Sequence, residues 1–373
     1  MKYSILYTVC ILACSVSWAL PCPVLPSWPT TDWQAMPTSK NTQALDAYAF
    51  TLQGSDKSRK GIRTDAVVIV QNGVVIYERY ARGFTAWMPH KTWSVSKSVI
   101  NALTGIAVHN GWLQLNDTLC NYIDAPSISH CDILVQHVLE FATGLDWNEG
   151  YEGTPYTESS VLAMLFGEGR HNMAHFALSH PKRSPPGETF DYSSGDAHVM
   201  SAIVHSVITA HHNAYYPWAL LFNVLGMNSA VFERDGQGVF VGSSHFYATP
   251  RDMAKLGFLY LQDGCWNNTR ILPEQWVQQS TQVSAPYRTH PLHVSNTGRQ
   301  GWHFWLNRAV PEQNLDLPWP DVPNDAFAAR GHWGQSITVI PSKNMVIVRT
   351  ADDRDEPAFD FNHFLKLAMA LGD

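Results

Sequence analysis

The sequence has no run of basic residues, no internal repeat and no low-complexity tract. Lys and Arg number 25 against 32 Asp and Glu, a formal net charge of −7. A nucleic-acid binder, which must track a phosphate backbone, is thereby excluded. Beyond the first two dozen residues no apolar run approaches the roughly 20 residues of a membrane-crossing helix, so no transmembrane segment is expected. The G-x-S-x-G elbow of the α/β-hydrolases is missing. Histidine is plentiful at 17 residues, yet His171 and His175 of "HNMAH" lack the glutamate of H-E-x-x-H. They read as exposed helix residues, and neither a metal nor any other cofactor is expected.

What is present is a 373-residue chain, 45% hydrophobic and 15% charged, which suits one large globular unit or two interleaved lobes. Its opening, "MKYSILYTVCILACSVSWALPCP", combines one lysine, a short apolar stretch and a small-residue site at Ser17-Trp18-Ala19. This predicts a signal peptide over residues 1–19 and an exported, periplasmic or secreted protein. A second reading takes Ile11-Leu12-Ala13-Cys14 as a lipoprotein box, with a lipid anchor at Cys14. After cleavage at Ala19, Cys22, Cys120, Cys131 and Cys265 remain. Export permits disulfides. Three pairings are open, and the turn-rich "NYIDAPSISH" between Cys120 and Cys131 favours that bridge.

Residues 20–59 form an N-terminal arm, with a helix expected near "TQALDAYAFTLQ". In "AVVIVQNGVVIYERY" β-branched residues flank Asn72-Gly73, which predicts a type I′ hairpin. Val99, Leu103, Ile106 and Ala107 recur at helical spacing up to a stop at Asn110-Gly111. Helical and loop segments fill the chain to about residue 225. Strand character returns in "GQSITVIPSKNMVIVRT", followed by an amphipathic helix, "FDFNHFLKLAMAL". Residues 308–326 read as a long loop that shapes a pocket rim. The expectation is an α+β fold over residues 60–373: a sheet lobe about 60–100 and 226–373, and an all-helical lobe about 101–225 inserted between.

The chemistry starts from "TWSVSKSVINAL", where Ser94 stands three residues before Lys97. A serine hydroxyl needs a base, and a lysine serves only when its pKa falls. At i and i+3 the two share a helix face. A helix N-terminus also offers unpaired N–H groups to a developing oxyanion. The spacing alone is weak, because Ser179-His180-Pro181-Lys182 matches it inside a proline-broken loop. Two further segments accompany the first: "FDYSSGDAHVMSAIV", with Tyr192 before a helical run, and "GHWGQSITVI", with His332, Trp333 and Gly334 at the start of a strand.

Together with the hairpin and "YATPRDMAKLGFLYLQDG", these motifs resemble the serine β-lactamase and penicillin-recognising superfamily. The likeness is to its class C-like branch of esterases and 6-aminohexanoate-dimer hydrolases. The resemblance covers nearly all of residues 60–373. It implies a β-lactamase/transpeptidase-like fold, an antiparallel sheet flanked by helices, with Ser94 as acylated nucleophile and Lys97 as its proton partner. It implies Tyr192 as general base and acid, and the backbone N–H groups of Ser94 and Gln335 as oxyanion hole. A tyrosine beside an ammonium suggests a phenolate base.

This sequence departs from the β-lactamase pattern at two places. Ser194 stands where an asparagine contacts the substrate, and His332 where a lysine binds a carboxylate. Ser194, His332, Trp333 and Gly334 are therefore expected to contact an ester, amide or peptide substrate rather than a β-lactam. The alternatives are a D-alanyl-D-alanine peptidase or β-lactamase using the same motifs and, in another class, a non-catalytic penicillin-binding sensor. Trp319 and Trp333 are expected near the pocket, whereas Trp302 and Trp305 read as core.

Overall fold

The computed structural model describes residues 22–25, 27–52, 54–55, 57–292 and 298–373. Residues 1–19, expected to be a signal peptide, and Cys14 within them lie outside the described residues. The frame is an eight-stranded sheet running Gln34–Ala35, Val74–Tyr80, Thr64–Gln71, Met345–Ala351, Gln335–Ile340, Phe327–Gly331, Trp305–Leu306 and Arg299–Gln300. Every neighbouring pair is antiparallel except the first, where Gln34–Ala35 runs parallel to Val74–Tyr80.

The sheet is covered on both faces, which is why its central strands read as unbroken apolar runs. Val68, Val70, Ile337, Val339, Val346 and Val348 point into one core. Their neighbours Val67, Ile69, Ile340, Met345 and Ile347 point into the other, under the helices Gln43–Ala49 and Phe361–Met369. Each fully buried Val or Ile side chain contributes about 1.5–3 kcal/mol. On the first face the helix Pro250–Leu261 lies against the central strands. Gly257 permits that approach, since a β-carbon there would meet Val346 Cγ1 at 2.6 Å and Ile337 Cγ2 at 2.7 Å.

The hairpin turn has Asn72 at φ 51° and Gly73 at φ 80°, both left-handed as a type I′ turn requires. Helix Val95–His109 ends at Asn110 as its spacing indicates, and its residues Val95–Ala107 are all buried. It is buried all round because it runs between the sheet and the helix Ser194–Thr209. Cys120 pairs with Cys131, and Cys22 with Cys265, which ties the arm to the turn after helix Pro250–Leu261.

Residues 308–326 hold one short helical turn, Pro311–Gln313, and are otherwise irregular. This loop is anchored rather than loose: Trp319 is 2% exposed, and Asn307 donates to the carbonyls of Trp319 and Val322, each at 2.9 Å. Among the described residues no helix is long and apolar enough to cross a membrane. His171 and His175 are exposed, and no group of three or more His, Cys, Asp or Glu able to hold a metal ion occurs among the described residues.

Candidate active site

Ser94 caps the helix Val95–His109, and the residue before it is bent into place. Trp93 adopts φ 52°, a left-handed conformation that costs a bulky residue on the order of 1–2 kcal/mol. Its surroundings hold it there. The Lys91 ammonium sits 3.9 Å over its ring, and Trp333 and His332 pack edge-on at 5.0 and 5.4 Å. The strained turn presents Ser94 to a cleft of about 1090 Å³, lined also by Tyr192, His332, Trp333, Gly334 and Trp305.

One helical turn on, Lys97 is only 2% exposed. Its Nζ lies 3.0 Å from each of Ser94 Oγ, Ser194 Oγ and the carbonyl of Ser243. Burial disfavours the ammonium and lowers the Lys97 pKa to about 8, against the opposing charge of Glu149. Near neutrality a fraction of this lysine is a free amine in contact with the serine hydroxyl. The competing match, Ser179 and Lys182, does none of this. Ser179 bonds the His175 carbonyl, and Lys182 reaches Asp132 and Ser129 on the surface.

Tyr192 lies in the same pocket, its ring centre 4.9 Å from Lys97 Nζ and 5.6 Å from that of Trp305. The surroundings of Tyr192 do not favour the phenolate expected from sequence. Burial raises the Tyr192 pKa far above its ordinary value and Glu149 adds to the rise, while Ser94 and Arg330 oppose it without reversing it. Tyr192 therefore rests as a neutral phenol, able to donate a proton before it accepts one. Trp305 is corrected too: it lines the cleft beside Tyr192, whereas Trp302 is core at 7% exposure.

Ser194, expected to touch substrate, is instead fully buried at the start of helix Ser194–Thr209. Its hydroxyl donates to Glu149 Oε1 at 2.5 Å and its backbone N–H to Glu149 Oε2 at 2.8 Å. It belongs under the site, between Lys97 and a carboxylate.

The opposite wall is the turn joining Phe327–Gly331 to Gln335–Ile340. His332 and Trp333 face the cleft, and Gly334 takes φ 90° with Arg349 Nη1 only 2.4 Å from any β-carbon it might carry. Gln335 itself is 1% exposed. Its side chain donates to the Ala351 carbonyl at 2.6 Å and accepts from the Ala351 N–H at 3.1 Å. That pair of bonds fixes the strand whose N–H would serve an oxyanion.

Sequence reasoning missed the loop Trp147–Gly153. Glu149 ends the Ser94–Lys97–Ser194 chain. Tyr151 stacks on His332 at 4.8 Å, and burial together with Glu149 holds its phenol well above the usual range. Glu152 accepts from His332 Nε2 at 2.8 Å and Trp333 Nε1 at 2.9 Å, joining the two walls. His303 was missed as well; it is buried, stacks on Phe141 and bonds the backbone carbonyl of Lys97 at 2.9 Å, and burial lowers its pKa to about 3.

A sequence profile of the family described as Beta-lactamase matches residues 41–369. A 6-aminohexanoate-dimer hydrolase of Paenarthrobacter ureafaciens is 24% identical over 338 residues, covering 82% of this chain and 76% of that protein. The structure of a putative 6-aminohexanoate-dimer hydrolase from Bacillus anthracis superposes with a TM-score of 0.69 at 21% identity, covering 92% of this chain and 86% of that one. EstCE1, described as a hydrolase with promiscuous acyltransferase activity, gives a TM-score of 0.62 at 15% identity, with 88% and 98% covered.

Proposed function

Because the chain belongs to the β-lactamase family and is a serine hydrolase of that family, we propose that it cleaves a small ester or short amide through an acyl-enzyme on Ser94. The observation that carries this reading is the 3.0 Å contact between Ser94 Oγ and a buried Lys97 whose pKa is lowered to about 8. As free amine, Lys97 takes the Ser94 proton while Oγ bonds the substrate carbonyl carbon. The resulting oxyanion is held by the N–H groups of Ser94 and Gln335. Tyr192 gives its proton to the leaving alcohol or amine as the carbonyl re-forms, and the Lys97 ammonium restores it. A water then attacks the ester carbonyl on Ser94, giving its proton to Tyr192 as Tyr192 passes its own to Lys97; the Oγ–carbon bond breaks, Ser94 Oγ takes the proton back from Lys97, and the acid is released. No cofactor enters.

His332, Trp333 and Gly334 form the substrate-facing rim. Histidine in place of a carboxylate-binding lysine favours esters and amides over β-lactams. The names of two relatives, a 6-aminohexanoate-dimer hydrolase and the hydrolase EstCE1, are consistent with that choice. The leader 1–19 and the disulfides Cys22–Cys265 and Cys120–Cys131 support export to an oxidising compartment.

The test is steady-state turnover of p-nitrophenyl butyrate, a short linear amide and a penicillin by the mature protein and by Ser94→Ala. The expected result is ester and amide hydrolysis that vanishes in Ser94→Ala, with no penicillin turnover. Penicillin hydrolysed faster than the ester, or a long-lived penicillin adduct, would overturn the substrate assignment in favour of a β-lactamase or a peptidase.

A further inference from the structure

Ser94, Lys97, Ser194 and Glu149 form a chain whose direction follows from counting protons. An ammonium at Lys97 can donate to all three oxygens around it, those of Ser94, Ser194 and the Ser243 carbonyl. A free amine has two protons and one lone pair. The oxygen that faces the lone pair decides whether Lys97 can receive the Ser94 proton.

The Ser243 carbonyl can only accept. Ser194 has one hydroxyl proton, and it is committed to Glu149 Oε1 at 2.5 Å. The second carboxylate oxygen is already occupied by two obligate donors, the Ser194 N–H at 2.8 Å and the Trp147 indole N–H at 2.6 Å. Towards Lys97, Ser194 has only lone pairs left. Both protons of the free amine go to Ser194 and Ser243, and the lone pair is left for Ser94.

We infer that Glu149 is a positioning residue that acts through Ser194 to aim the Lys97 lone pair at Ser94. This inference rests on the Ser94 acyl-enzyme reading and adds the group that sets its polarity. The other ionisable groups around the amine do not supply that direction. Tyr192 turns its ring face to the amine and hydrogen-bonds Ser94, Tyr151 hydrogen-bonds Ser194 and Ser244 rather than Lys97, and His303 bonds the Lys97 backbone carbonyl.

A near-isosteric substitution separates this role from packing. In Glu149→Gln the two N–H donors keep the amide oxygen where Oε2 was, which turns the amide NH2 towards Ser194 Oγ. The Ser194 hydroxyl then receives from Gln, and of the two acceptors within its reach, the neutral Tyr151 phenol and the more basic lone pair of Lys97 3.0 Å away, its own proton goes to the amine. Lys97 is left donating to Ser94, and the chain runs backwards. Ser194→Ala removes the hydroxyl that would block the lone pair, so it is the milder change.

The experiment is the rate of Ser94 phosphonylation by a fluorophosphonate, in which Oγ bonds phosphorus and fluoride leaves, followed by intact mass as a function of pH, in the full mature chain. Wild type, Ser94→Ala, Glu149→Gln, Ser194→Ala and Glu149→Gln/Ser194→Ala are compared, with melting temperatures to confirm folding. We expect Glu149→Gln to slow phosphonylation about 10²-fold, Ser194→Ala by roughly tenfold or less, and the double variant to recover to the Ser194→Ala rate. Glu149→Ala, which also frees the Ser194 proton, gives the same comparison independently of how the Gln variant folds. A Glu149→Gln rate within about threefold of wild type, or a double variant as slow as Glu149→Gln, would overturn the inference. Wild-type labelling that survives in Ser94→Ala would instead remove the acyl-enzyme reading beneath it.

Discussion

The carbonyl oxygen of Thr92 lies 2.1 Å from the point where a β-carbon on Gly331 would stand. Strand Phe327–Gly331 thus meets the segment leading into Ser94 backbone against backbone, and this contact sets the width of the cleft between Ser94 and Gln335. Gly331→Ala must push the two apart. The expected outcome is a loss of kcat/KM of about 10²-fold with substrate binding less affected, checked by ester kinetics alongside the melting temperature.

Lys97 titrates near 8 because burial penalises its charge. The base form is the neutral one, so acylation rises with pH and levels off above about 8. The stability linkage has the same sign. The unfolded lysine keeps its proton to about 10.4, so the cost of burying the ammonium is present in full below pH 8. It is relieved as pH rises from there towards 10.4. Lys97→Met should therefore lose about 10³-fold in kcat while melting no lower than wild type at neutral pH. Urea titration and ester kinetics on the two proteins check both halves.

Tyr192 rests as a neutral phenol, held so by burial and by Glu149. Its first task is to give a proton to the leaving group. An alkyl ester or amide needs that proton, whereas p-nitrophenolate leaves without it. Tyr192→Phe is expected to slow amide and alkyl ester cleavage by about 10²-fold or more and p-nitrophenyl ester acylation far less. Paired kinetics on the two leaving groups decide it.

Cys120 and Cys131 close a short loop with a sequence separation of 11. Replacing both by serine frees that loop in the unfolded chain and should cost about 2–3 kcal/mol. Thermal unfolding should show the loss, and ester turnover at room temperature should be retained, since the bridge does not line the cleft.

Much of this architecture is legible before folding because local chemistry dictates it. Asn72-Gly73 admits only a tight turn, the spacing from Val99 to Ala107 marks a buried helix, and the turn-rich stretch after Cys120 brings Cys131 back. Cys22–Cys265 spans a sequence separation of 243, so no local signal announces it. Glu149 is equally silent: "DWNEGYEG" has no period and no motif, and its carboxylate matters only because helix Ser194–Thr209 places Ser194 against it. The surroundings of Ser194 and Tyr192 escape the sequence for one reason. The sequence shows that they neighbour each other and follow the nucleophile, but not that Ser194 is buried or that Tyr192 is half-buried between Phe141 and Trp305. Trp305 read as core because a tryptophan near a sheet usually is.

The most direct test of the whole account is a mass measurement. The mature protein is incubated with a fluorophosphonate, digested, and the modified peptide sequenced, with Ser94→Ala and Lys97→Met treated alike. The account predicts a single adduct on the peptide holding Ser94, absent from Ser94→Ala and formed at least 10²-fold more slowly in Lys97→Met, on the order of a general base's contribution. An adduct on another residue, or one that forms equally fast without Lys97, would contradict it.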